Sequence, residues 1–207
     1  MITLYIETNF FIAFAKNQDK SSEDLVDSKF SDKMSLVKIS TPSICCMESL
    51  SVLEDERNNS NRFRDNLDTE RSKLQGDINS KYSKEIQKGL EEVKIKNDAR
   101  INDINIRLFK VIEWAANNVE LIKLESPILI DSLNQQFIPD PTDNLILHCI
   151  LNHAKTSPKT SSDDQKVLLS GNFKDFGTKE IKQKLSAAGI QKYVASTGDF
   201  LGWLQSI

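Results

Sequence analysis

Apolar residues along this chain gather in short blocks, except between residues 54 and 110, where they thin to a stripe diluted by charge. The first block, Ile2-Thr3-Leu4-Tyr5-Ile6, reads as a buried strand ending at a carboxylate, Glu7. Phe10 to Ala15 is too apolar for a surface loop and predicts a helix packed on the sheet. Residues 18–33 are polar and predict a short helix with a loose connection. Val37-Lys38-Ile39 is a second strand candidate, and Thr41-Pro42 looks like a helix start with proline near the first helical position. That helix is expected from Ser43 to about Leu53, with Ile44, Met47 and Leu50 on one side and Glu48 at the edge of the stripe.

Past residue 110 the blocks resume. Val119 to Leu124 alternates as a strand does, Ile128 to Phe137 looks helical, and Pro139-Asp140-Pro141-Thr142 is a turn and cap before an apolar helix, Asn144 to Leu151. Ser157 to Asp164 reads as a polar loop, Val167-Leu168-Leu169 as a buried strand, and 178–188 as a helix stopped by Gly189. Tyr193-Val194-Ala195 is a last strand and Asp199 to Leu204 a terminal helix. Strands alternating with helices predict an α/β fold: three layers, α/β/α, around a mostly parallel sheet.

Residues 54–110 stand apart, with 12 acidic and 13 basic residues and no proline. Leu67, Leu74, Ile78, Tyr82, Ile86, Leu90, Val93, Ile101, Ile104 and Leu108 recur mostly at helical spacing, in a stripe too narrow for a core helix. This predicts an inserted helical hairpin or coiled-coil-like arm, turning between Gly76 and Gly89, on a domain made of 1–53 and 111–207.

Composition narrows the class. A hydrophobic content of 39% in 207 residues suffices for one ordinary core, and no apolar run is long enough to span a membrane. Acidic Glu7 interrupts the N-terminus, which argues against a signal peptide. Cys45, Cys46 and Cys149 form neither a disulfide framework nor a zinc pattern; they read as buried free thiols, and a reducing cytoplasm fits best. A net charge of −3 gives no global nucleic-acid signal, so any contact with RNA must use local basic patches and a bound metal.

The candidate chemistry is acidic. Glu7, Glu48, Asp143 and the Asn172/Asp175 pair each fall at an apolar-to-polar boundary or on the first turn of an apolar helix. In an open α/β sheet, the carboxyl ends of the strands are where ligands bind. Carboxylates gathered there suit a hard divalent cation such as Mg²⁺. Structural roles compete: Asp143 as a helix cap, Glu48 as a surface residue, Asp175 and Asp199 as turn or cap residues. Asp140 is a second-tier ligand candidate. His148 and His153 read as core or surface histidines, since no third histidine exists to complete a ligand set.

Four short motifs resemble a known family. Tyr5-Ile6-Glu7-Thr8-Asn9-Phe10, Cys46-Met47-Glu48-Ser49-Leu50, Asp143-Asn144-Leu145-Ile146 and Leu168-Leu169-Ser170-Gly171-Asn172-Phe173-Lys174-Asp175-Phe176 occur in the order seen in PIN domains, a metal-dependent nuclease fold. The resemblance spans the chain outside 54–110. It implies a ribonuclease holding Mg²⁺ or Mn²⁺ through Glu7, Glu48, Asp143, Asn172 and Asp175, with Glu7, Glu48, Asp143 and Asp175 as the catalytic acids and Thr8, Asn9 and Ser170 at the ligands or a substrate phosphate. It also implies RNA as substrate and, as in small bacterial members, an antitoxin or other protein partner; a homodimer belongs to the same set of expectations. Glu7 departs from the aspartate usual there, carrying its carboxylate about 1.5 Å further out. A catalytically weakened module that binds through its arm is the alternative. A receiver-like regulator fits poorly, because Ile6-Glu7-Thr8 offers one acid rather than a pair, and no phosphate-cradling glycine loop is present.

Overall fold

In the computed structural model, which describes residues 1–27, 35–157 and 164–207, the chain begins β1 (Ile2–Ile6), α1 (Thr8–Ala15), α2 (Lys20–Val26), β2 (Val37–Pro42) and α3 (Ser43–Leu74). It continues α4 (Lys81–Asn118), β3 (Glu120–Ile122), α5 (Ser126–Asn134), α6 (Pro141–Thr156) and β4 (Gln165–Leu169). A one-turn α7 (Phe173–Phe176), α8 (Lys179–Ala187), β5 (Lys192–Val194) and α9 (Thr197–Ser206) complete it. Residues 28–33 of the expected 18–33 segment and 158–163 of the 157–164 loop lie outside the described residues.

All five strands are parallel, in the order β3-β2-β1-β4-β5. β1 is therefore central and buried at all five positions, which accounts for its unbroken apolar run. The chain winds outward through β2 and β3, then returns to the other side of β1 with β4. The crevice between the carboxyl ends of β1 and β4 is thus the sheet's switch point. α1 packs against α3 and α4, and α6 packs against β2, β3 and α5, giving the expected α/β/α layers.

Several boundaries differ from the sequence expectation. The strand expected over Val119–Leu124 shortens to three residues, because Pro127 already sits in the first turn of α5. Pro42 ends β2 and stands at the N-cap of α3, which begins at Ser43 as expected but runs on to Leu74 instead of ending near Leu53. α3 buries Cys45, Ser49 and Leu53, while Met47 is exposed; the small Cys45 and Ser49 side chains let α3 lie close on the core and turn Glu48 inward. Cys46 is half-buried rather than buried. Ser196 caps α9, and Asp199 stands in its first turn.

The compositional boundaries at 53/54 and 110/111 fall inside α3 and α4 without a break. The turn between the two helices occupies residues 75–80, and Gly89 lies within α4. α4 enters the core at Ile104 and buries Leu108, Val111 and Ala115 as well. Beyond Ser60, the hairpin is joined mainly by polar pairs: Asn97 donates to Ser60 at 2.6 Å, Lys94 pairs with Asp68 at 2.8 Å, Arg71 pairs with Glu91, and Gln87 donates to the Leu74 carbonyl at 3.0 Å. Ile78, Tyr82, Ile86 and Val93, which the periodicity placed on the packed stripe, are exposed. No helix among the described residues is long and apolar enough to cross a membrane.

Candidate metal centre

Glu7 follows the last residue of β1 and caps α1: its Oε2 accepts the Asn9 amide at 2.7 Å. The strand fixes the residue, and the cap fixes its rotamer. Only 1% of Glu7 is exposed, and its other oxygen, Oε1, is buried with no hydrogen-bond partner among the described residues. An ionised oxygen in that state is costly unless a cation meets it. Burial pushes the Glu7 carboxyl up to about 7, the Asn9 amide and Ser170 hydroxyl oppose that, and the charges of Asp143 and Glu48 add to it.

Glu48 reaches the same place from α3, where the Thr8 hydroxyl donates to its Oε2. Burial raises its pKa, the Thr8 hydrogen bond works against the rise, and Asp140 adds to it. Asp143 arrives from the first turn of α6. The structure settles the cap question there: Asp140 is the cap, accepting the Thr142 and Asp143 amides at 2.8 and 3.0 Å, which leaves the Asp143 carboxylate free of that duty. Asp143 is pushed up to about 6, first by burial and then by the charges of Glu48, Asp140 and Asp175.

After β4, Asn172 caps α7 and bridges two acids. Its Nδ2 donates to Asp143 Oδ2 at 3.0 Å and to Asp175 Oδ2 at 2.7 Å, while its Oδ1 accepts the Asp175 amide at 3.3 Å. Ser170 accepts the Asn172 amide at 3.1 Å, and Tyr193 donates to the Ser170 carbonyl at 2.8 Å. All the acidic positions read from the sequence therefore lie at the carboxyl edge of the sheet, close enough to perturb one another. Of the three polar residues expected at ligands or substrate, Thr8 holds Glu48, Asn9 holds Glu7 through its backbone, and Ser170 holds the loop that carries Asn172.

The donor set is entirely oxygen, which suits Mg²⁺ or Mn²⁺ and not zinc. Among the described residues, no three acidic, histidine or cysteine side chains form a ready-made cage. Mg²⁺ does not require one, since it keeps several waters and takes one or two carboxylates directly. The orphaned Glu7 oxygen and the unneutralised acids around it are what such a hydrated ion would satisfy.

Sequence reasoning missed three supporting residues. Asn144 is buried and uses its whole amide: Nδ2 donates to the Ser132 and Gln135 carbonyls at 2.8 and 3.2 Å, and Oδ1 accepts the Phe137 and Ile138 amides at 2.8 and 3.3 Å. It pins the loop that delivers Asp140 and Asp143. Thr41 donates to the Ile6 carbonyl at 2.9 Å, tying β2 to the end of β1. Cys45 is sealed beside the acids, its thiol pushed up by burial and then by the Glu7 charge. Nothing in local sequence marks these residues, because each acts through a partner distant along the chain. His148 stacks on Phe137 at 4.6 Å and bonds the Gln135 carbonyl, a core role.

A family model described as a PIN domain matches residues 4–176. No curated protein and no solved structure gives a significant match to the chain.

Proposed function

The chain belongs to the PIN domain family, and from that premise we propose that it is a metal-dependent endoribonuclease hydrolysing RNA phosphodiester bonds. One observation carries the reading: four segments far apart in sequence bring Glu7, Glu48, Asp143 and Asp175 to one crevice, where a buried carboxylate oxygen has no partner among the described residues. Glu7, Glu48, Asp143 and Asp175 would hold Mg²⁺ or Mn²⁺, directly or through its waters, with Asn172 setting the spacing of the last two. Once bound, the ion neutralises charge on the scissile phosphate and acidifies an attacking water.

The protein's own contribution is positioning. β1 and the Asn9 amide fix Glu7, the Thr8 hydroxyl orients Glu48, and Asn172 clamps Asp143 to Asp175. In the hydrolysis, a water oxygen bonds to phosphorus, the bond to the leaving ribose oxygen breaks, a carboxylate takes the water proton, and solvent protonates the leaving oxygen.

The test incubates the protein with RNA and with single-stranded DNA, in Mg²⁺ or Mn²⁺ and in chelator, beside Asp143→Asn. Chelator-sensitive RNA cleavage that the variant lacks supports the enzyme; no cleavage of either polymer moves the weight to a binding module. That second reading is favoured by Asn172, whose amide is committed to its neighbours, and by the apolar residues exposed on the arm.

We assign the arm a role in choosing RNA or docking a protein, an antitoxin or a second copy of the chain, in a cytoplasmic setting. Of its basic residues, Lys94 and Arg100 are paired with Asp68 and Glu56, and Lys81 lies 3.7 Å from Glu85. Lys84, Lys88 and Lys96, like Arg62 and Arg64, have no ion pair among the described residues and could contact phosphate.

A further inference from the structure

A cavity of about 450 Å³ opens at the β1/β4 switch point, directly beside the carboxylates. It shares Asn9, Gly171 and Asn172 with them and extends away between the end of α1 and the start of α9. Its volume lies in the range of pockets that take a small organic ligand. Ile12, Ala13, Leu169 and Ala195 supply apolar wall.

The lining excludes an anion as occupant. Among the described residues no lysine, arginine or histidine lines it, and Asp19 is the one ionisable side chain that does. Both Asp19 oxygens are spent: Oδ1 accepts the Ser21 amide at 3.0 Å and Oδ2 the Thr197 amide at 3.2 Å. Asp19 therefore builds the cavity floor by joining α2 to α9, and offers a ligand little.

Two neutral amides remain. The side chains of Asn9 and Gln18 line the cavity and make no hydrogen bond among the described residues. Gln18 is placed there by a rigid device. Asn17 adopts φ 54°, a left-handed conformation that asparagine tolerates. The Asn17 and Gln18 amides then return to the Phe14 and Ala13 carbonyls at 3.1 and 2.9 Å, closing α1. The backbone carrying Gln18 is thus fixed, and its amide is free to meet a ligand. Each amide offers both a donor and an acceptor. A flat, uncharged ligand with apolar faces and a donor/acceptor edge matches this lining, and a nucleobase has that form.

We propose that the cavity is a nucleobase subsite, in which one base of single-stranded RNA is turned out of the strand and read by Gln18 and Asn9 while its phosphate lies at the carboxylates. This rests on the nuclease reading for its link to cleavage but not for the binding itself, which needs no metal. The enzyme would cut preferentially next to one base, by about tenfold or more over the least favoured.

The experiment titrates the full chain, in chelator, with each of the four ribonucleosides, following the Asn9 and Gln18 side-chain amide signals by NMR. Saturable shifts with one or two of the four, at about millimolar affinity, are expected. Gln18→Ala is expected to lose the discrimination between bases. Ala195→Phe, at an exposed rim position that perturbs folding little, is expected to block binding. Asp143→Asn, without cleavage, should bind nucleosides as the wild type does. If no nucleoside moves the two amide signals, or if Ala195→Phe binds as well as wild type, the subsite is overturned while cleavage can persist. If nucleosides bind but wild-type protein cuts nothing, the nuclease reading falls and the base pocket stands.

Discussion

A carboxylate sealed from water destabilises the fold that seals it, and Glu7 makes that cost measurable. Its folded pKa, about 7, lies above its ordinary value of 4.5, so the folded protein holds this proton more tightly than the unfolded chain. The sign follows: the stabilising contribution of Glu7 is full below pH 4.5 and is lost as pH rises through about 7. Asp143, pushed to about 6, adds a smaller effect of the same sign. In chelator, the melting temperature should therefore fall from about pH 5 to about pH 8. Glu7→Gln should raise the unfolding free energy at the upper end by on the order of 1–3 kcal/mol, lifting the melting temperature there and flattening the profile. Thermal melts of the two proteins in EDTA measure this; parallel profiles would remove Glu7 as the strained group. Asn144 is the opposite case, a buried polar group with every bond made. Asn144→Ala should cost about 2–4 kcal/mol in urea unfolding, since it strands two amides and two carbonyls. The acids were legible in the sequence because a carboxylate at a strand end, in a helix first turn or at the edge of an apolar stripe stands out from its neighbours. Asn144 was not, because asparagine before an apolar helix looks the same whether it faces water or four backbone groups.

At the scale of elements, the arm was legible as helical and mislaid as to its packed face. Apolar spacing selected Ile78, Tyr82, Ile86 and Val93, yet α4 turns Gln87, Lys94 and Asn97 toward α3, and Ser83 toward Asp77 in the turn. Hydrogen bonds and ion pairs set the rotation of this hairpin, and a hydrophobicity pattern cannot register them. The charge pattern also hid where the arm ends. Ile104 and Leu108 are core residues, and Arg107 donates to the Phe14 carbonyl at 2.7 and 3.1 Å and pairs with Glu23 at 2.8 Å. Two deletions separate the boundaries. Replacing 61–96 by a short loop joins the chain where Ser60 and Asn97 already meet at 2.6 Å, and the core should keep a cooperative melt. Replacing 54–110, the compositional insertion, removes two buried aliphatic side chains worth about 1.5–3 kcal/mol each, and the protein should not fold. Circular dichroism melts of both deletions distinguish the outcomes. Equal stability of the two would mean that residues 97–110, Ile104 and Leu108 included, contribute nothing to the core.

The whole molecule is organised by a strand order that no local pattern encodes. Each apolar block announces a strand, but β4 returning to the far side of β1 is a property of how the layers close. That return creates both the acidic crevice and the cavity beside it, so the site exists only in the complete sheet. A shared cation then has a distributed signature. Adding Mg²⁺ should slow hydrogen exchange together at the end of β1, the second turn of α3, the first turn of α6, and the β4–α7 loop. Relief of charge repulsion at one centre stabilises every segment that feeds it. The arm beyond Ser60, held mainly by exposed polar pairs that water and salt screen, should exchange quickly, fastest at residues 75–80, with or without the ion. Protection confined to one of the four segments would point to a single adventitious carboxylate site, and the joint centre would fail. Protection at all four that Asp143→Asn abolishes throughout would tie residues from opposite ends of the chain to one ion, independently of any substrate.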